Sequence, residues 1–318
     1  MTTKQAIQDI QKTFDINAIF AHKVFLLADK TNLLEDAARI IAEKPKPFVK
    51  WVGGKRQLLA QFRRLNLYPP EKFDIRTGRY FEPFVGGGAV FFDLLPEKGF
   101  LSDLNKELVT TYNIIKNDVE GLIASLKKHK IDKEYFLNIR AKDSKALNDL
   151  TVASRFIFLN RTCFNGLYRV NSKGGFNVPY GKYTNPLICD ESNLRKVSKS
   201  LQNIEIKHQD YKEVLKTAKK GDFVYFDPPY YPVSKTASFT SYTAEAFLDK
   251  EQIELRDTVL ELNKRGCFVM LSNSDTPFIN KIYSGLKGIR VNKVEAGRAI
   301  NSKGSGRGKI TEVLVTNY

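Results

Sequence analysis

Hydrophobic and polar positions along the chain follow two periods, and the switches between them mark the elements. Over residues 3–42, apolar side chains recur three and four apart: Ala6, Ile7, Ile10 and Phe14, then Leu33, Leu34, Ala37, Ala38 and Ile41. That spacing predicts two or three helices, with Asn32 and Glu35 set as a capping box at the start of the last one. A polar stretch with two prolines, 43–47, follows and reads as a stiff linker. Beyond it, short apolar runs alternate with helical periodicity. Strands are predicted at 79–82, 100–103, 204–206, 222–226 and 267–271, with a closing antiparallel pair at 289–295 and 311–317. Helices are predicted from about Lys55, after the glycine loop at 86–88, over 105–116, across 117–160 and over 244–264. The alternation implies an α/β fold, a mostly parallel sheet covered on both faces.

Composition narrows the class. The chain has 318 residues, enough for one large domain or two modest ones, and a formal net charge of +16. That charge implies a polyanionic partner, most simply nucleic acid; the plainer alternative is a soluble basic surface. No apolar run is long enough to span a membrane, and the first residues, Met1, Thr2, Thr3 and Lys4, form no secretory signal core. A cytoplasmic protein without a membrane partner is expected. Cys163, Cys189 and Cys267 share no ligand spacing, and His22, His129 and His208 are scattered. Reduced thiols and no metal site are expected.

The candidate chemistry centres on 222–230. An apolar, aromatic run ends at Asp227 because Pro228 and Pro229 cannot continue a sheet ladder. A carboxylate is thereby held at the carboxyl end of a buried strand, where open α/β sheets bind ligands. Asp227 and the Pro228 carbonyl offer two acceptors for the two hydrogens of an exocyclic amine, and Tyr230 offers an aromatic face for a base turned out of a duplex. The alternative is a strand followed by a Pro-Pro turn on which Tyr230 merely packs.

Around it lie weaker signals. After Glu82, Pro83 and Phe84 comes the glycine loop Gly86, Gly87 and Gly88, then a second strand ending in Asp103. The loop has neither dinucleotide nor Walker spacing, and an acid at Asp103 suits ribose hydroxyls. Together they point to a nucleoside-like cofactor such as S-adenosylmethionine; otherwise Asp103 simply caps helix 105–116. Asp210, after the strand at 204–206, could take an adenine amine. Gly53 and Gly54 allow a tight turn beside Trp51, the sole tryptophan. Over 160–183, Arg and Lys alternate with aromatics among glycines and asparagines, which suits phosphate contacts, guanine readout and a base-step wedge; a glycine-rich hairpin that binds nothing is the alternative. The polar stretch 231–242 reads as a mobile loop over the site, and the basic segment 297–309 as a backbone clamp.

Trp51-Val-Gly-Gly-Lys55, Glu82-Pro-Phe-Val-Gly-Gly-Gly88 and Asp227-Pro-Pro-Tyr230, in that order, resemble the Dam-type (D12 class, group alpha) DNA adenine-N6 methyltransferases over about residues 48–318. The resemblance implies a Rossmann-like S-adenosylmethionine-dependent methyltransferase fold with an antiparallel final strand and an inserted helical and hairpin target-recognition domain. Residues 1–45 would then be a helical appendage outside the family pattern, 46–116 and 200–318 the catalytic domain, and 117–199 the recognition domain. It implies cofactor contacts at Trp51, Lys55, Asp103 and Asp227, with Phe84 and the Gly86–Gly88 loop beside them. Asp227, Pro228 and Tyr230 would receive a flipped adenine. Arg169 would read a guanine, Phe164 enter the base stack, Leu167 and Pro179 make apolar base contacts, Asn165 lie among them, and Lys50 meet a further guanine. The implied partner is double-stranded DNA and the implied target 5′-GATC-3′. Rival readings are the same chemistry on DNA cytosine, RNA adenine or a glutamine side chain, and a DNA-binding regulator without catalysis. Asp rather than Asn at 227 disfavours the glutamine enzymes. Oligomeric state and biological setting are left open.

Overall fold

The computed structural model describes residues 2–233, 247–297 and 309–318. Most of the predicted loop at 231–242 and of the basic segment at 297–309 lies outside them. A seven-stranded sheet forms the centre: β1 (Tyr80–Glu82), β2 (Gly99–Asp103), β3 (Ile204–His208), β4 (Phe223–Phe226), β5 (Phe268–Ser274), β6 (Arg290–Gly297) and β7 (Lys309–Thr316), in the spatial order β3-β2-β1-β4-β5-β7-β6. All pairings are parallel except those of β7, which is antiparallel to both β5 and β6. Successive strand residues face opposite sides, and β4 shows the outcome: Phe223 and Tyr225 enter one core, Val224 and Phe226 the other.

The chain leaves β1 to build β2 and β3 on one side, then returns to place β4 on the other. This reversal opens a crevice at the carboxyl ends of β1 and β4, so the glycine loop after β1 and the prolines after β4 are neighbours. β5 runs past the predicted end at Leu271. Ser272, Asn273 and Ser274 look like a polar stop, yet they pair with β7 and are buried.

The chain opens with three packed helices: α1 (Thr3–Phe14), α2 (Ala18–Leu27) and α3 (Leu33–Ala42). They enclose a small core of Ile10, Ile16, Phe20, Ala21, Val24 and Ala37. The expected capping box is not formed. Asn32 takes the cap position with φ −123° and ψ 45° and makes no side-chain cap bond; the extended backbone that aims a capping side chain is missing there. Next come α4 (Arg56–Arg64) and α5 (Ala89–Leu94), then α6 (Lys106–Asn117), α7 (Val119–Leu126), α8 (Lys133–Ala141), α9 (Asp149–Thr162) and α10 (Glu191–Leu201) between β2 and β3. Leu122, Phe156 and Leu194, from α7, α9 and α10, share the core formed by Tyr80 and Tyr225 of the sheet. α11 (Asp249–Lys264) and α12 (Pro277–Tyr283) cover the opposite face. Among the described residues no helix is long and apolar enough to cross a membrane, and no His/Cys/Asp/Glu group is arranged to hold a metal.

Asp93 on α5 ties the N-terminal helices to the body. Asn17 Nδ2 donates to its carbonyl at 2.7 Å, Lys44 Nζ lies 3.0 Å from its carboxylate, and Arg63 Nη1 3.2 Å. Burial pulls the Lys44 ammonium below its usual range, opposed by the charge of Asp93. Asp93→Ala would leave the Lys44 ammonium without its carboxylate and Arg63 with Asp15 alone, and urea unfolding should show a loss of about 2–4 kcal/mol. A loss below about 0.5 kcal/mol would mean that the knot is only decorative.

Candidate active site

Asp227 follows directly on β4, with about a fifth of its side chain exposed. Its Oδ1 lies 2.9 Å from Lys55 Nζ. Lys55 is buried just before α4, donates also to the Gly53 carbonyl, and stands 4.7 Å from the centre of the Tyr230 ring. Burial pushes the Asp227 carboxyl above its ordinary range, and the Lys55 ammonium opposes that rise. Tyr230 donates its hydroxyl to Glu312 Oε2 at 2.8 Å, which fixes the ring from β7.

The loop after β4 is held from beneath by buried amides. Gln252 Nε2 donates to the Pro229 carbonyl at 3.0 Å, Asn273 Nδ2 donates to Gln252 Oε1 at 2.9 Å, and Asn273 Oδ1 accepts from Tyr231 N at 3.1 Å. Such satisfied networks hold a loop in one position. Pro228 is buried and Pro229 exposed.

Across the crevice, Gly86 N donates to Asp103 at 3.0 Å and Tyr112 donates its hydroxyl to Gly86 O at 3.1 Å. Asp103 also accepts from Asn105 N at 2.9 Å, and Asn105, not Asp103, caps α6. The glycines are required by packing: a Cβ on Gly86 would lie 2.5 Å from Trp51 Nε1, and one on Gly88 2.7 Å from the Tyr112 hydroxyl. Both also have positive φ, 45° and 68°. Phe84 is stacked on Tyr211 with ring centres 5.3 Å apart. Asp210 is exposed and its carboxylate accepts from Lys212 N at 2.8 Å, opening a 3₁₀ turn.

Glu82, at the end of β1, is fully enclosed. Its Oε2 accepts from the Tyr80 hydroxyl at 2.8 Å and from Phe91 N at 3.1 Å. Burial pushes its carboxyl up to about 8, and the charges of Asp227 and Asp103 add to the rise. Burial likewise raises Asp103. Asp103 and Asp227 are partly exposed at the crevice under conditions that disfavour negative charge, with Glu82 enclosed behind them, and a cationic ligand would relieve the two.

The predicted hairpin at 160–183 is two single bridges, Cys163 with Tyr180 and Val170 with Phe176, rather than a pair of strands. A tight turn over Phe164–Gly166 begins it, with Asn165 at φ 55°. Phe164 is half exposed, Asn165 is exposed, and Phe164 N donates to the Pro179 carbonyl at 2.8 Å. Leu167 packs on the small core of Phe176 and Val178. The Arg169 guanidinium is exposed, and its Nε donates to Asn177 Oδ1 at 2.8 Å. Lys50 is exposed, its ammonium 4.6 Å from the Tyr183 ring centre.

Residues 51–300 match the family model of D12 class N6 adenine-specific DNA methyltransferases. The chain belongs to this family. Among its relatives, the Type II methyltransferase M1.LlaDCHI of Lactococcus lactis subsp. cremoris is 46% identical over 281 residues, covering 86% of this chain and 95% of that protein. The Type II methyltransferase M.MjaIII of Methanocaldococcus jannaschii is 46% identical over 291 residues, covering 86% and 99%. The DNA adenine methylase of Escherichia coli K12 is 32% identical over 277 residues, covering 86% and 95%.

The methyltransferase thus brings Lys55, Asp227 and Tyr230 into mutual contact, and Trp51, Gly86 and Asp103 into a second group beside them. Sequence reasoning missed Glu82, Gln252, Glu312 and Tyr211. Glu82 carried a signal, an acid ending an apolar strand before a proline. Gln252 and Glu312 sit in a charged helix and a closing strand, and nothing local marks them.

Proposed function

We propose that this methyltransferase transfers a methyl group from S-adenosylmethionine to the exocyclic amine of adenine within 5′-GATC-3′ in duplex DNA, with residues 117–199 as the target-reading segment. The observation that carries the reading is Asp227, presented at the carboxyl edge of β4 and backed by the Lys55 ammonium. The residues present fit the cofactor: it carries a sulfonium and an ammonium, which suit the partly exposed carboxyl groups of Asp103 and Asp227 at the crevice. Trp51, Lys55, Phe84, Gly86, Gly88, Asp103, Asp210 and Asp227 would line its site, and when bound it supplies an electrophilic methyl.

The chain's own part is positioning. An adenine amine is a weak nucleophile because its lone pair is delocalised into the ring. Asp227 and the Pro228 carbonyl would accept its two N–H bonds and turn the lone pair outward. Fixed acceptors of this kind stabilise the positive charge that grows on nitrogen. Tyr230, anchored by Glu312, would stack on the flipped base. Phe164, half exposed on its turn, would fill the vacated space in the duplex, while Lys50, Asn165, Leu167, Arg169 and Pro179 read or brace the site.

Incubation with labelled S-adenosylmethionine and duplexes with or without GATC tests the reading, with digestion of the product to identify the base. Label on N6 of adenine in GATC alone is expected; label on cytosine, or equal label in both duplexes, would refute it. In Arg169→Ala the preference at one guanine should fall about tenfold to a hundredfold, the worth of one bidentate base contact. An unchanged preference removes Arg169 from the reading residues.

A further inference from the structure

Residues 48–55 form a strap that runs from the target-reading turn to the catalytic carboxylate. At its start the Asn160 amide, 1% exposed, brackets Lys50 like a neighbouring strand. It accepts from Lys50 N at 2.8 Å and donates to Lys50 O at 2.8 Å. The same Nδ2 donates to the Gly166 carbonyl at 3.0 Å. Arg161 Nη2 adds a bond to the Phe48 carbonyl at 2.6 Å. Gly166 also presses on the Lys50 stem, since a Cβ there would lie 2.6 Å from Lys50 Cβ and Cδ. In the middle, Trp51 is stacked on Tyr168 at 6.0 Å and on Phe156 at 6.4 Å, with Gly86 against its other edge. A turn then closes with Gly54 N on Trp51 O at 3.3 Å, Gly53 having φ 78°. The strap ends at the Lys55–Asp227 ion pair, 2.9 Å.

We propose that this strap couples target recognition to catalysis and that Asn160 is the positioning residue on which the coupling depends. The inference rests on the reading of 164–169 as the target-reading turn. Gly166 and Lys50 share one buried amide, so a shift of the turn on a correct duplex carries Lys50 with it, because leaving buried partners unpaired is costly. The tight turn at Gly53 passes the shift to Lys55, which sets the charge beside Asp227, and to Trp51, which seats the glycine loop. A wrong duplex that binds without shifting the turn leaves Lys55 where it is. Discrimination then appears in the rate of transfer as well as in affinity, and coupling of this kind is worth about fivefold to a hundredfold.

Trp51 is the only tryptophan, so its fluorescence reports the middle of the strap. With no cofactor present, a saturating GATC duplex is expected to change Trp51 emission, and a duplex with one guanine replaced, bound to the same saturation, to change it less than a third as much. Equal changes for the two duplexes in the wild-type protein overturn the proposal without recourse to any variant. Asn160→Asp keeps the acceptor for Lys50 N and removes both donated bonds. It should bind GATC within about threefold of wild type, lose the emission difference, and transfer methyl in a single turnover about fivefold to a hundredfold more slowly. A folded Asn160→Asp protein whose rate ratio between the two duplexes is unchanged also overturns it. Failure of the wild-type protein to methylate either duplex would instead overturn the function proposed above.

Discussion

Asp227→Ala is expected to slow single-turnover methyl transfer by at least about a thousandfold while duplex affinity stays within about threefold. The carboxylate is the charged acceptor at the mouth of the crevice, whereas the contacts that would hold the duplex lie on the turn at 164–169 and on Lys50. The variant has a second effect, because the Lys55 ammonium is buried and loses its carboxylate. Some loss of stability follows, so a companion variant is needed. Asp227→Asn keeps the shape and one oxygen, removes the charge, and should fall between wild type and alanine. Rapid-quench measurement with labelled cofactor, beside filter binding of the same duplex, separates the two effects. Undiminished transfer by a folded Asp227→Ala protein would end the assignment.

The second large effect concerns pH. Glu82 has a folded-state pKa of about 8 against an ordinary value of 4.5, raised first by burial. A carboxyl whose pKa is raised on folding holds its proton in the native state while the unfolded chain has released it. Its share of stability is therefore fully present below 4.5 and is lost as pH rises through about 8, above which the loss levels off. At about 1.4 kcal/mol per unit, the loss amounts to several kcal/mol at most. Glu82→Gln supplies a neutral group of the same shape, whose oxygen can still accept from Tyr80 and Phe91. Urea midpoints should fall from pH 5 to about pH 8 and then level off for the wild type, and fall much less for the variant. Parallel slopes would show that another group carries the dependence.

The central sheet was legible because buried strands leave unbroken apolar runs between strong breakers, as at 222–226 between Gly221 and Pro228. The reach of β5 was not legible. Ser272, Asn273 and Ser274 read as a polar stop, and only their partners explain their burial: Tyr225 for Ser272, Gln252 for Asn273, the Tyr231 carbonyl for Ser274. These partners lie 21 to 47 residues away, a separation that periodicity cannot register. The capping box failed for a related reason. Residue types at the right spacing do not guarantee the backbone angles that aim the side chain, and Asn32 lacks them.

The candidate site divides the same way. Asp227 announced itself through the two prolines that end its strand. Lys55 followed from the resemblance, and its contact with Asp227 needed the fold. Glu82 showed no charge partner in the sequence, because its chemistry comes from enclosure. Gln252 was hidden in a helix of ordinary amphipathic pattern, where one inward amide among Leu255, Val259 and Leu262 gives no local sign of its task.

β7 slides between β5 and β6 and brings Glu312 to the hydroxyl of Tyr230. Although it follows β6 in the sequence, it fills the interior slot and leaves β6 at the edge. Without β7 the ring beside the carboxylate and the prolines would lose its Glu312 anchor, and β5 and β6 would have a gap between them. The aromatic ring beside Asp227 is thus held by a residue 82 positions further along the chain, so loosening of β7 would free it.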